Sequence, residues 1–316
     1  MMRVAAVLCL VLSCGFCFAQ TKSVAITIDD LPYSGLGSKP GDVKQAREDI
    51  AKILATLKSH QVPVVGFVNE IYLNVDGQRD MRVALLQQWL EAGAELGNHT
   101  YSHVNINQVP EAHAEDEVVE GEVITQRLMK ENGKQERYFR HPFLRTGATL
   151  DQKQQFEAFL KSRGYTVAPV TAENLDWAFD TARRVALKEG DHATAERILD
   201  AYLAQTESSL EYYEKLTQAL FGRNIPFIML MHSNQLNALM LDKVLAEFEA
   251  RGYKFVSVEE ALKDPAYQTT DTYAGNEGKI WQDRWAFSLG KNLGMKAPES
   301  PQWMWDLYKK ASVAGY

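Results

Sequence analysis

Short apolar clusters alternate along the chain with longer stretches in which apolar positions recur at helical spacing. The clusters read as strands: Ser23–Asp29, Val62–Asn69, Ala94–His99, Glu136–Pro142, Tyr165–Thr171, Ile225–His232 and Tyr253–Val258. Several are rich in β-branched residues and too short for helices. Between them lie amphipathic segments. In Gly41–Ser59 the residues Val43, Ile50, Ile53, Leu54 and Leu57 share one helical face, and Met81–Ala92, Glu111–Glu131 and Leu241–Arg251 repeat the pattern. Strand–helix alternation of this kind predicts a parallel α/β fold, and seven strands predict a deformed (β/α)7 barrel.

Two stretches depart from the rhythm. Thr181–Phe221 reads as a long helical insertion, with Leu199, Tyr202, Leu203, Leu210, Tyr213 and Leu216 near helical spacing. It is expected either to shape access to the strand ends or simply to clad the barrel. From Asp264 the chain is expected to be loop-like and is aromatic-rich, holding Trp281, Trp285, Trp303 and Trp305. With no Gly/Ser linker before it, 264–316 is expected to be an extension packed on a barrel domain of 20–263, its indoles serving as core or as a sugar-stacking platform.

At the N-terminus Arg3 precedes the apolar run VAAVLCLVLSCGFCF, and the small residue Ala19 stands just before QTKS. This is the pattern of a signal peptide over residues 1–19, too short for a comfortable membrane span. The alternatives are a retained anchor helix, or a lipidated Cys14 or Cys17, neither of which has the usual preceding pattern. All three cysteines fall here, so the mature chain would have no structural disulfide and no catalytic thiolate. An exported protein, periplasmic or secreted and without stable membrane insertion after cleavage, is the expectation. The formal charge of −7 argues against nucleic acid or anionic lipid as partner, and the oligomeric state is not encoded in any pattern we recognise.

Candidate chemistry collects where strands end. The first strand closes on two adjacent carboxylates, Asp29 and Asp30, which repel one another and need positive partners if buried. After the third strand comes HTYSH. Its His99 and His103, four apart, would face the same way on a helical turn and, with a carboxylate, would form a His₂–carboxylate set for Zn²⁺ or a similar ion. Ordinary turn histidines are the alternative. The fourth strand closes on RHPF, where Arg140 offers a fork for a carboxylate or for a surface ion pair. His232 ends LMH on the sixth, and Asp176 and Trp177 follow the fifth in LDW.

The motifs TIDD, HTYSH, RHPF, LDW and LMH stand in the order and spacing of the polysaccharide deacetylase family, the NodB-homology group of carbohydrate esterases, which this chain resembles over about Val24 to Leu262. The resemblance implies a deformed (β/α) barrel that uses one divalent metal, Zn²⁺ first with Co²⁺, Ni²⁺ or Mn²⁺ as alternatives, to remove acetyl groups from a polysaccharide or oligosaccharide. It implies Asp30, His99 and His103 as metal ligands and Asp29 as general base paired with Arg140. It further implies His232 as general acid oriented by Asp176, the Phe143 N–H as oxyanion donor, Trp177 along the cleft and Leu230 at the acetyl-methyl pocket. Ile28, His141, Phe143 and Asn174 depart from the commonest family residues, and one commonly acidic position of the fourth motif is not matched. An N-acetylated glycan, of peptidoglycan or chitin type, is the leading expectation. An O-acetyl esterase on xylan or exopolysaccharide, a non-sugar amide hydrolase, and a non-catalytic carbohydrate-binding protein are the alternatives.

Overall fold

The computed structural model describes residues 22–314, so the expected signal segment 1–19 lies outside the described residues. Eight parallel strands run β1 (Lys22–Leu31), β2 (Val64–Val68), β3 (Glu95–Asn98), β4 (Tyr138–Phe139), β5 (Thr166–Val167), β6 (Ala172–Glu173), β7 (Phe227–His232) and β8 (Tyr253–Phe255). The helices are α1 (Pro40–Ser59), α2 (Arg79–Glu91), α3 (Glu111–Glu120), α4 (Val123–Glu131), α5 (Leu150–Ser162), α6 (Asp176–Lys188), α7 (His192–Phe221), α8 (Gln235–Ala250), α9 (Val258–Ala261), α10 (Trp281–Ser288) and α11 (Gln302–Ala314). No described helix is long and apolar enough to cross a membrane.

The sheet order is β5-β4-β3-β2-β1-β7-β6, with β8 paired to the start of β1. Its curl is that of a deformed (β/α)7 barrel, open between β5 and β6 at the two ends of the order. Side chains alternate across β1. Val24, Ile26 and Ile28 join the layer between sheet and helices, while Ala25 joins the inner cluster with Val65, Phe67 and Ile228. Register then stacks the inner face in layers: Ala25 beside Ile228, Thr27 beside Leu230, and Asp29 beside His232. The two titratable groups end up level with one another because two neighbouring strands keep one register.

Three expectations about elements change. The expected strand Tyr165–Thr171 shortens to β5; Ala168–Thr171 is irregular and β6 begins only beyond it, at Ala172. Pro169 has no N–H to give to a ladder. At this opening the C-terminal segment docks: the Trp281 N–H donates to the Val170 carbonyl at 2.8 Å, and the Gln282 side chain donates to the Thr171 carbonyl. The expected helix Glu111–Glu131 is likewise two helices, divided at Gly121. A Cβ there would meet the Tyr101 nitrogen at 2.7 Å, so the break lets α3 approach the histidine loop. The tail, expected to be loop-like, carries α10 and α11. Trp285 is fully buried and Trp281 nearly so, against Phe221, Tyr267 and Arg284, in the core role rather than at a sugar surface.

Candidate active site

Asp29 and Asp30 close β1 at the C-terminal rim of the barrel. Asp29 is buried and points inward. Asp30 adopts a left-handed backbone, φ 61°, which turns its carboxylate out of the strand alternation toward the same space. Thr100 (φ 63°), His103 (φ 59°), Phe143 (φ 55°), Leu144 (φ 54°) and Leu175 (φ 60°) share this conformation around the rim. Each costs on the order of 1–3 kcal/mol and persists because the surrounding structure holds it.

His99 and His103 are not on a helical turn. They sit on an irregular loop after β3, and the left-handed residues between and at them bring the rings to 4.8 Å between centroids. Buried Asn69 holds the loop by donating to the His99 carbonyl at 2.6 Å, while Glu117 accepts from the Ser102 N–H and hydroxyl, both at 2.7 Å. The His99 Nδ1 bonds the Arg140 carbonyl at 2.8 Å, which places the proton on Nδ1 and leaves the Nε2 lone pair facing the carboxylates. Burial and His103 push His99 down to about 3, so the ring is neutral.

The ligand atoms of Asp30, His99 and His103 lie within 4.8 Å of one another. Both Nε2 atoms stand 3.7 Å from Asp30 Oδ1, a buried oxygen with no hydrogen-bond partner. A neutral, oriented imidazole pair around an orphaned carboxylate oxygen fits a divalent cation. Burial works to raise Asp30, yet His103, His232 and His99 hold it below the usual carboxylate range.

Arg140 is fully buried with its guanidinium over the Phe67 ring at 4.8 Å. It is not the bidentate partner its fork allows. Nη2 donates to Thr27 Oγ1 at 2.7 Å, and Nε stands 3.8 Å from Asp29 Oδ1 as a through-space ion pair. Burial pushes Asp29 up to about 6 while Arg140 and then His232 pull it down, which poises the carboxylate for proton exchange near neutrality.

Across the rim, the His232 Nδ1 bonds Asp176 Oδ1 at 2.8 Å. The other oxygen of Asp176 accepts from the His232 N–H at 2.7 Å, Asn237 at 2.6 Å and Asn234 at 3.1 Å. Burial disfavours the charged ring, but Asp176, with Asp30 and Asp29 behind it, raises His232 to about 10. The imidazolium is therefore the form present at neutral pH. Asp176 is fixed in turn from α7: Tyr202 donates to Asn237 at 2.8 Å and accepts from Asn174 at 2.8 Å.

All of these meet one cavity of about 440 Å³, lined by Asp29, Asp30, His99, His103 and His232. Phe143, Trp177 and Leu230 also line it. Arg140 and Asp176 stand behind it as partners rather than as wall. No residue of 181–221 lines it; the stretch forms the end of α6 and the long helix α7. Sequence reasoning gave no site role to the remaining lining residues, His141, Leu144, Glu173, Leu175, Gly278 and Tyr308. Glu173 was visible as an acid beside the LDW motif, and burial raises it to about 7 against the pull of His232. Gly278 and Tyr308 carried no local signal. A Cβ on Gly278 would lie 1.8 Å from the Phe143 carbonyl oxygen, so only glycine lets the tail close on that turn.

Residues 19–166 match the family model described as Polysaccharide deacetylase, just under half of the chain. No curated protein matches the chain. Among solved structures, the chitin deacetylase of the fungal pathogen Colletotrichum lindemuthianum superposes with a TM-score of 0.53 at 21% identity, covering 78% of this chain and 89% of that one. A CE4 family pseudoenzyme from Bacillus anthracis gives 0.51 at 18%, covering 77% and 66%, and its mutant with restored enzymatic activity gives 0.51 at 20%, covering 77% and 68%. At such identities the likeness is one of fold. Because that fold serves an enzyme and a pseudoenzyme alike, activity has to be argued from the side chains.

Proposed function

We propose, from the match of residues 19–166 to the polysaccharide deacetylase model and from the side chains gathered in the cavity, that the protein is a metal-dependent hydrolase removing acetyl groups from an N-acetylated glycan of peptidoglycan or chitin type. The observation that supports it best is the pairing of Asp29 with His232, level on neighbouring strands, on either side of the Asp30–His99–His103 group in one cavity. One carboxylate poised near neutrality and one imidazolium held charged are the base and the acid that amide hydrolysis requires.

Asp30, His99 and His103 would hold the cation, Zn²⁺ first among the candidates. When bound, it would supply Lewis-acid polarisation of the acetyl carbonyl and a lowered pKa for water. Asp29 takes the proton of the attacking water. Arg140 keeps that carboxylate in place without a direct hydrogen bond, which leaves Oδ1 without a protein donor. The oxyanion developing at the carbonyl is received by the Phe143 N–H, whose left-handed turn is held by Gly278. His232 donates its proton to the departing nitrogen as the C–N bond breaks, giving acetate and a free amine. An amine leaves poorly without that proton, so a strongly held imidazolium favours an amide over an acetyl ester. Leu230 is apolar surface for the acetyl methyl. We also propose export, with cleavage after Ala19, which N-terminal sequencing of the secreted protein would check.

The test is acetate release from N-acetylated chitooligosaccharide, peptidoglycan and acetylxylan, with metal content measured per chain. Asp30→Ala, His99→Ala and His103→Ala should each empty the site. Asp29→Asn should keep the metal and lose about 10²–10⁴-fold in rate. A metal-loaded wild type inert on every acetylated glycan would defeat the proposal. Release from acetylxylan alone would move it to an O-acetyl esterase.

A further inference from the structure

We propose that the C-terminal helix builds a sugar subsite next to the reacting residue: Trp177 of α6, with Trp305 and Tyr308 of α11, forms an aromatic wall for the face of a neighbouring pyranose ring. This rests on the carbohydrate reading above and extends it to substrate length. The three rings meet edge to face, with centroids 6.2 Å apart for Trp177–Trp305, 5.3 Å for Trp177–Tyr308 and 5.5 Å for Trp305–Tyr308. Trp177 and Tyr308 line the same cavity as Asp29 and His232, so the wall is continuous with the reacting groups.

The rings lie where α11 packs on α6, against the core, and keep part of their surface exposed there. Among the described side chains of α11 the deeply buried ones are Met304 and Ala311, seven apart and thus on one face, while Trp305 and Tyr308 stay partly exposed beside that face. Partly exposed, mutually braced aromatic rings beside a cavity lined by both charged and apolar groups suit a ligand with an apolar face and a hydroxylated edge. A pyranose has both: its axial C–H groups lie flat on an aromatic ring while its hydroxyls remain in water. Trp305 touches the other two rings and fixes their angle. The wall comes from beyond residues 19–166, outside the part of the chain that carries the family match.

The prediction is a dependence on chain length. Metal-loaded full-length Asp29→Asn protein would be titrated with N-acetylglucosamine and with its tetramer, following indole fluorescence and calorimetric heat. Adding Tyr308→Ala or Trp305→Ala should weaken tetramer binding about tenfold and monomer binding by less than twofold. Tyr308→Phe, which keeps the ring, should restore tetramer affinity. On the active background the same alanine variants should raise KM for the tetramer with kcat nearly kept. Unchanged tetramer affinity, equal losses for monomer and tetramer, or no oligosaccharide binding by the parent protein would each overturn the subsite. Should Tyr308→Ala fail to fold, Tyr308→Leu retains bulk without the flat ring and carries the same expectation. Acetate release by the wild type is scored separately. A protein that binds the tetramer through the wall yet releases no acetate would sink the deacetylase reading and leave the subsite standing.

Discussion

Two neighbouring aspartates, one buried and one partly exposed, share one strand end because their backbones diverge. Asp29 keeps the strand conformation and faces Arg140 across the barrel, while Asp30 turns left-handed and faces two histidines. The opposed roles of His232 and His99 also follow from their surroundings. His99 is buried and His232 partly so, but His232 bonds a carboxylate and His99 a carbonyl, so one is held charged and the other neutral. A pH prediction follows for His232, which faces Asp176, Asp29, Asp30, Glu173 and His103. Its folded pKa is raised from 6.5 to about 10, so the charged ring, and the stability it contributes, is fully present below 6.5 and is lost as pH rises through about 10. Asp176→Asn should therefore bring the alkaline limb of kcat down toward neutral pH, with metal content unchanged. A pH–rate profile on the metal-loaded variant checks this, and an unmoved limb would remove His232 from the acid role.

At the scale of elements, the insertion and the tail support the site from different sides. Helix α7 reaches it only through side chains, Tyr202 bonding Asn237, which bonds Asp176. Tyr202→Phe leaves the buried Asn237 and Asn174 each short of a partner, costing about 1–3 kcal/mol. A lower melting temperature and a several-fold lower kcat with KM unchanged are expected. The tail segment before α10 reaches the site through backbone contact at Gly278. Gly278→Ala would push the tail off the Phe143 turn, and we expect reduced turnover with full metal content, measured as acetate release beside metal analysis. Preserved turnover would mean that the turn does not depend on the tail.

The whole molecule is a barrel whose opening between β5 and β6 is covered by its own C-terminal segment. Truncation after Lys263 would uncover Val170, Thr171 and the surface beneath Trp281 and Trp285, and loss of one such buried indole alone typically costs about 3–5 kcal/mol. The truncated chain should melt well below the intact one and be poorly soluble; equal melting curves would show that the tail is not part of the fold. Much of this protein was legible in its sequence. Apolar alternation depends on neighbouring residues, so the strands, most helices and the barrel class could be read locally. The motifs whose residues meet in the cavity were legible because each is a few contiguous residues at a strand end, where barrel chemistry gathers. The loop geometry of His99 and His103, the through-space pairing of Arg140, and the shortening of Tyr165–Thr171 were decided by tertiary structure. So were the entry of Glu173, Gly278 and Tyr308 into the cavity and the docking of Trp281 on Val170. These depend on which distant surfaces pack together. A local hydrophobic period says which face of an element is buried, but not what it is buried against.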